Sequence, residues 1–122
     1  MNGPDFLDRQ LGQPAAALRL RAQRLDLIAS NIANAATPGY KARDLDFKAA
    51  LAEAGAAGVT GQFGATQAIR YRVPVQASLD GNTVELATEQ TAFAENAIDY
   101  RASLSFLSGR IQTLMAALKG GE

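Results

Sequence analysis

The sequence predicts a mainly α protein in which long N- and C-terminal heptad helices pair as a coiled-coil-like hairpin, with a short irregular or β segment between them. Two heptad repeats of apolar residues, one near each end of the chain, predict the helices. A stretch rich in glycine and alanine between the repeats predicts the irregular connection. With 122 residues, of which 48% are hydrophobic, the chain suits one domain with one core.

The N-terminal helix is predicted over residues 14–36, after a flexible segment over residues 1–13. Its apolar residues recur in alternating steps of four and three, and they are Leu18, Ala22, Leu25, Ala29, Ile32 and Ala36. Pro14 suits the first turn of a helix, where a missing N–H costs nothing. The sequence Thr37-Pro38-Gly39 predicts the end of the helix, because the residue before a proline disfavours helical geometry.

The C-terminal helix is predicted over residues 88–119. Its repeat comprises Phe93, Ala97, Tyr100, Leu104, Leu107, Ile111, Leu114 and Leu118. Thr88 is the candidate N-cap, and Lys119 followed by Gly120 is the stop signal. From spacing alone, the two repeats indicate equally well a core within one molecule and a contact between subunits.

Residues 37–87 are predicted to form a turn, a linker and a candidate β-hairpin. Residues 49–62 are rich in alanine and glycine, so weak order is expected there, as a linker or as the frayed end of a short helix begun at Asp46. A strand is predicted where apolar residues alternate with polar ones, at Ile69, Tyr71, Val73 and Val75. Pro74 confines this strand to a sheet edge, and a turn over residues 80–82 leads to its expected partner at Val84 and Leu86.

Composition argues against several classes of function. Twelve basic residues balance twelve acidic ones, so no long-range field favours nucleic acid. The chain has no histidine and no cysteine, and it has no phosphate-binding glycine loop, so we expect no enzyme activity, no metal or other cofactor and no small-molecule substrate. A catalytic role for Asp44 with Asp46 is rejected because no apolar pocket is foreshadowed around them. Residues 1–13 carry charges and no continuous apolar stretch, which argues against a cleaved signal peptide.

The end of the first predicted helix carries the most specific motif of the chain. Residues 30–41 read Ser-Asn-Ile-Ala-Asn-Ala-Ala-Thr-Pro-Gly-Tyr-Lys, which resembles the N-terminal signature of bacterial flagellar rod and hook proteins. The blocks over residues 41–47 and 80–86, with residues 94–96 and 100–101, resemble the proximal rod members of that family. Ala36 departs from the pattern, because many relatives carry an acidic residue there. The signature residues assigned to assembly are Asn31, Ala33, Asn34, Thr37, Pro38, Gly39 and Tyr40.

This resemblance implies a structural subunit of the proximal rod, which polymerises through its terminal helices and helps to transmit torque from the motor. The implied partners are the chain itself, other rod proteins, the basal-body adaptor, the inner-membrane ring and the flagellar type III export apparatus. The implied location is the periplasmic rod, reached without a cleaved signal peptide. The residues predicted to form the assembly seam are Leu18, Leu25, Ile32, Phe93, Tyr100, Leu104, Leu107, Ile111 and Leu114.

Two further expectations concern contacts, and one alternative function stays open. The segment over residues 40–47 is expected to pack on a neighbouring subunit. The scattered arginines are expected to form a solvated face, and they are Arg19, Arg21, Arg24, Arg70 and Arg72. The alternative function is a cytosolic coiled-coil adaptor or export chaperone, because heptads alone also fit a stable helical dimer.

Overall fold

The computed structural model describes residues 3–57 and 68–120. Its elements, in chain order, are α1 (Gly3–Ala33), β1 (Arg43–Leu45), α2 (Phe47–Ala57), β2 (Ile69–Tyr71) and α3 (Leu86–Lys119). Contacts join residue 10 to residue 110, residue 21 to residue 99 and residue 31 to residue 89, so α1 and α3 run antiparallel. The predicted fold class, two long terminal helices packed together with a short strand segment between them, is confirmed.

Helix α1 begins at Gly3 rather than at Pro14, so the helix continues through residues that the sequence assigned to a flexible segment. Pro14 lies inside the helix, where it cannot donate to the carbonyl four residues earlier. That carbonyl belongs to Gln10, and it accepts a hydrogen bond from Nε of Arg110 at 3.3 Å. A side chain from α3 therefore replaces the donor that Pro14 lacks. The helix ends at Ala33, before a turn over residues 34–36.

Helix α3 begins earlier than predicted, because Glu85 and not Thr88 is its N-cap residue. Glu85 has extended geometry (φ −109°, ψ 102°), and Thr88 already lies in the first turn. The helix ends at Lys119, where the prediction ended it. Its 34 residues make it a rod of about 51 Å, at a rise of roughly 1.5 Å per residue.

The predicted β-hairpin is wrong, because β2 pairs with a different segment of the chain. Strand β2 pairs antiparallel with β1, with Arg43 opposite Tyr71 and Leu45 opposite Ile69, and not with Val84 and Leu86. This pairing places Leu45 in the core, which a local hairpin would not do. Residues 49–57 of the stretch expected to be weakly ordered belong to helix α2, and the rest, residues 58–62, lies outside the described residues.

The apolar core lies between α1, α2 and the two strands. It is formed by Leu20, Leu27, Leu45, Ala50 and Ala68, with Phe47, Ala49, Leu51 and Ile69 packed against them. The residues of the predicted N-terminal seam, Leu18, Leu25 and Ile32, are only half-buried. Helix α1 thus presents buried leucines to α2 and the two strands, one step around the helix from the predicted seam.

The face of α3 that contacts α1 is unexpectedly polar. In its first half the buried side chains are those of Glu89, Ala92 and Asn96. In its second half the packed positions are half-buried, and they are Tyr100, Ser103, Leu107, Arg110 and Leu114. The predicted seam shares Tyr100, Leu107 and Leu114 with this stripe, whereas its residues Phe93, Leu104 and Ile111 are exposed in the single chain.

Among the described residues, no helix combines the length and the hydropathy that a membrane span requires.

A pair of glycine substitutions tests these backbone assignments. Gly109 lies inside α3 with open space where a Cβ would stand, so Gly109→Ala should raise the free energy of unfolding by about 0.5–1 kcal/mol. Gly39 has φ 75°, so Gly39→Ala should lower it by about 1–2 kcal/mol. Urea unfolding followed by circular dichroism measures both, and a loss of stability in Gly109→Ala would show that this glycine is needed within the monomer.

Candidate assembly surface

The signature motif forms a rigid turn after α1. The side chain of Asn34 turns back on the helix, with Nδ2 donating to the carbonyl of Ser30 at 2.8 Å. The hydroxyl of Thr37 donates to Oδ1 of Asn34 at 3.1 Å. Gly39 has a positive φ of 75°, a left-handed geometry that residues with a side chain rarely adopt. The motif therefore stops the helix and reverses the chain through local hydrogen bonds.

A residue from the other half of the chain caps this turn. Nδ2 of Asn82 lies 2.9 Å, 3.1 Å and 2.8 Å from the carbonyl oxygens of Asn34, Ala35 and Thr37. Carbonyls at the end of a helix lack partners within the helix, and here one buried amide serves three of them. Oδ1 of the same amide accepts from the N–H of Val84 at 2.7 Å, which fixes its orientation.

Backbone hydrogen bonds fasten the loop over residues 78–83 along the turn. The N–H of Gly39 donates to the carbonyl of Asp80 at 2.9 Å, and the N–H of Thr83 donates to the carbonyl of Tyr40 at 2.9 Å. The loop has hydrogen bonds of its own, because Oδ1 of Asp80 accepts from the Ser78 hydroxyl and from the Asn82 N–H. These two bonds lower the pKa of Asp80. Gly81 adopts φ 76° and packs close to Gly39. Two left-handed glycines thus lie face to face.

Asn31 is the centre of the next layer and is fully buried. Its Oδ1 accepts from the N–H of Arg43 at 3.1 Å, and its Nδ2 donates to the carbonyl of Arg43 at 2.7 Å. This is the pairing that a neighbouring strand would make, so the side chain closes one edge of β1. Nδ2 also donates to Oε2 of Glu89 at 3.1 Å. Asn31 therefore joins α1, β1 and α3.

The carboxylates of Glu89 and Asp44 are held by arginines. Nη1 of Arg72 lies 3.2 Å from Oε1 of the fully buried Glu89, and its Nη2 lies 2.8 Å from Asp44. Arg24 holds Asp44 in a two-point contact at 2.9 Å and 3.1 Å, and the hydrogen bond to Asp44 raises the pKa of Arg24. The expectation of a solvated face is wrong for Arg24 and Arg72, because both are half-buried in ion pairs within the chain.

A third layer lies further along α1. Asn96 is fully buried, and its Nδ2 donates to the carbonyl of Arg21 at 2.8 Å. The guanidinium of Arg21 lies 3.2 Å from a carboxylate oxygen of Asp99 and 3.7 Å from the ring centre of Phe47. Arg21 is therefore also half-buried and not part of a solvated face. Cation–π and ionic contacts here link α1, α2 and α3.

The structure brings most of the signature together and explains it within one molecule. Asn31, Asn34, Thr37 and Tyr40 share hydrogen bonds, including one between the Tyr40 and Ser30 hydroxyls at 3.0 Å. Ala33 and Pro38 are exposed. Residues 42 and 45 are buried in the same chain, so the inner side of the segment over residues 40–47 packs internally and not on a neighbouring subunit.

Sequence reasoning missed four residues of this network. They are Arg72, Asn82, Glu89 and Asn96. Glu89 and Asn96 are seven positions apart on α3, so the signal was present as a heptad of polar residues.

A second surface, on the outside of α3, remains exposed. Its large apolar side chains are 40–86% accessible, and they are Leu86, Phe93, Leu104, Ile111, Met115 and Leu118. At about 100° per residue these side chains fall within a sector of about 60°, next to the face that contacts α1. We call this set the outer stripe. It includes Phe93, Leu104 and Ile111 of the predicted seam.

Among residues 3–57 and 68–120, no group of three or more potential metal-ligating side chains lies together. The buried carboxylate of Glu89 is engaged by Arg72 and Asn31.

The capping amide can be tested by substitution. Asn82→Ala should lower the free energy of unfolding by about 1–3 kcal/mol, because three carbonyls lose a buried donor. Lys41→Ala is the control, since its exposed Nζ contacts the same loop at the carbonyl of Gly81 and should contribute less than about 1 kcal/mol. Equal effects of the two substitutions in urea unfolding would contradict the capping role.

The buried carboxylate provides a second test. Glu89→Gln keeps the shape but removes the charge that faces Arg72, so unfolding should become easier by about 1–3 kcal/mol. Glu95→Gln, on an exposed position of the same helix, should change stability by less than about 0.5 kcal/mol. Thermal unfolding measures both, and a stable Glu89→Gln protein would show that the pair does not hold α3.

Comparisons with a family profile and with individual proteins show which family the chain belongs to. The profile of the family described as "Flagella basal body rod protein" matches residues 15–41, which run from α1 to the end of the signature turn. The flagellar basal body rod protein FlgB of Cereibacter sphaeroides is 52% identical in an alignment that covers 91% of this chain and 94% of that protein. FlgB of Escherichia coli K12 is 44% identical in an alignment that covers 97% of this chain and 99% of that protein.

FlgB of Salmonella typhimurium LT2 is 42% identical, again covering 97% of this chain and 99% of the relative. Identity of this degree over nearly the whole length of both partners is not confined to the signature motif. The chain therefore belongs to the FlgB family of flagellar basal body rod proteins.

Proposed function

We propose that this protein is a structural subunit of the proximal rod of the bacterial flagellar basal body, that it polymerises through its terminal helices, and that it helps to transmit torque from the motor. The observation that carries this proposal is the outer stripe, which follows α3 over residues 86–118 and is exposed in the single chain. Family membership supports a structural role in the rod, since the relatives are named as basal body rod proteins.

Burial of the outer stripe would supply the energy of assembly. Fully burying a large apolar side chain stabilises by about 1.5–3 kcal/mol, so the remaining exposed half of six such residues is worth roughly 5 kcal/mol per copy. Each copy also offers surface to more than one neighbour, because Ile98 and Phe106 are exposed on other sides of the same helix. The balanced charge of the chain places little repulsion between copies.

Torque transmission requires that a subunit resist twisting, and the hairpin supplies this stiffness. Helices α1 and α3 are tied near the signature turn through Asn31 and Glu89 and near the opposite end through Gln10 and Arg110. Ties at both ends oppose rotation of one helix about the other. Rigid two-helix units of this kind suit the wall of a tube.

The proposed partners are further copies of the chain, other flagellar rod proteins, the basal-body adaptor and the inner-membrane ring. The proposed location is the periplasmic rod, reached through the flagellar type III export apparatus without a cleaved signal peptide. The role is structural and not catalytic. These details rest on family membership and on the exposed stripe.

The alternative, a cytosolic coiled-coil adaptor or export chaperone, makes a different prediction in solution. A dimeric adaptor would bury the outer stripe in a small oligomer of fixed size. A rod subunit would form species that grow with concentration. Sedimentation velocity over a wide concentration range separates the two, and a fixed dimer would favour the adaptor.

A charge within the outer stripe should block assembly while leaving the monomer folded. Leu104 is 47% exposed, so Leu104→Asp should change the melting temperature little and should abolish incorporation into the rod and motility. Leu104→Met preserves volume and apolarity and is the matched control. Measurement of motility, secreted protein level and rod incorporation in a strain lacking the native gene tests this, and normal motility with Leu104→Asp would remove the outer stripe from the assembly surface.

A further inference from the structure

Among the described residues, strand β2 is paired on one edge only, the edge that faces β1. Its even-numbered residues face β1, as shown by the N–H of Arg72, which donates to the carbonyl of Ala42 at 2.8 Å, and by the carbonyl of Ala68, which accepts from Asp46 at 2.8 Å. The odd-numbered residues Ile69, Tyr71 and Val73 therefore direct their backbone groups away from β1. Within the described residues, the N–H groups of Tyr71 and Val73 donate no hydrogen bond.

Within residues 3–57 and 68–120, nothing covers the outer edge of β2. β1 has its outer edge closed by Asn31, whereas β2 has no such cover among the described residues. Pro74 lies beyond the end of β2 at Tyr71, so its missing N–H removes no donor from the strand itself. Val73, which precedes Pro74, is biased toward extended geometry.

The side chains along the edge are apolar and exposed. Tyr71, the last residue of β2, is 72% accessible, and Val73 and Val75, which follow the strand at alternate positions, are 86% and 88% accessible. The face of β2 opposite to Tyr71 carries the exposed Arg70. The nearest carboxylates are engaged elsewhere, since Asp44 holds two arginines, Asp46 accepts from the N–H of Ala49, and Glu85 accepts from the N–H of Val75.

The positive charge argues against a second copy as the occupant. In an antiparallel pairing of two β2 edges with Ile69 of one copy opposite Tyr71 of the other, the two exposed Arg70 side chains would lie opposite each other. Like charges directly opposite each other destabilise a strand pair. An opposed acidic residue would instead stabilise it.

We propose that the open edge of β2 binds an extended strand of a different protein, in which apolar residues alternate with acidic ones. The apolar side chains of that strand pack on Tyr71 and Val73, its acidic side chain pairs with Arg70, and its backbone bonds to Tyr71 and Val73. This interaction is separate from the outer stripe of α3. It extends a two-stranded sheet, which is marginal alone, to three strands.

The first test asks whether the edge is open. Amide hydrogen exchange by NMR on the full-length protein should show fast exchange at Tyr71 and Val73 and slower exchange at Arg72, whose N–H is bonded to Ala42. Protection of Tyr71 and Val73 equal to that of Arg72 would mean that the edge is already occupied, and this would overturn the proposal.

The second test adds a probe strand. A blocked heptapeptide of alternating valine and glutamate should shift the amide resonances of Tyr71 and Val73 and slow their exchange at least threefold. A valine–lysine peptide should bind at least tenfold more weakly, and so should a valine–glutamate peptide that is N-methylated on the residues facing β2. Absence of binding by the first peptide, or equal binding of all three, would overturn the proposal.

Variants locate the contact and control for folding. Val73→Pro removes the outward N–H and should weaken binding of the valine–glutamate peptide at least tenfold, whereas Val73→Ala retains the donor and should weaken it less than threefold. Arg70→Glu should reverse the preference between the glutamate and lysine peptides. Retained protection at Arg72 in each variant shows that the sheet is folded, and an unchanged preference in Arg70→Glu would overturn the charge assignment.

Discussion

The amide of Asn82 bonded to the carbonyls of the turn that follows α1 is the interaction on which the rest of the structure depends. It holds residues 78–83 against the signature turn, and this loop leads directly into α3 at Leu86. The start of α3 is thereby placed where Glu89 meets Asn31 and Arg72. The angle and register of the long hairpin follow from this junction, because the next polar contacts, at Asn96 and Asp99, lie about two and three turns further on.

The molecule inverts the usual distribution of polarity between its long helices. Buried Asn31, Glu89 and Asn96 lie where a coiled coil would place leucine, and the more apolar line of α3 is left exposed. Polar groups at a helix seam specify register, since any shift leaves buried groups without partners. The polar contact between α1 and α3 thus fixes the register of the two helices. The exposed apolar side chains of α3 remain available for burial against other molecules. This division fits a subunit whose neighbours supply the rest of its burial.

The sequence predicts the elements that depend on neighbouring residues. It does not reveal the contacts between residues that are far apart in the chain. Both long helices, the turn at Thr37-Pro38-Gly39 and the end of α3 at Lys119 follow from periodicity and turn residues nearby, although α1 itself ends at Ala33 and not at the predicted residue 36. The start of α1 was placed at Pro14, because nothing near Pro14 shows that Arg110 bonds the carbonyl of Gln10. The partner of β2 was missed for the same reason, since residues 43–45 are far along the chain from residues 69–71. Within the candidate surface, a heptad search for apolar residues could not find Glu89 and Asn96.

The bond from Arg110 to Gln10 spans 100 positions of the chain, and the bonds from Asn82 to the end of α1 span 45–48. Contacts of such high sequence separation make folding slow, because the intervening chain must be ordered first. A chain threaded through a channel amino end first would deliver α1 without its cap and without the donor that Pro14 lacks. Its N-terminal half would therefore remain flexible while it passed through the channel. Helices α1 and α3 would pack together only when the C-terminal half had emerged.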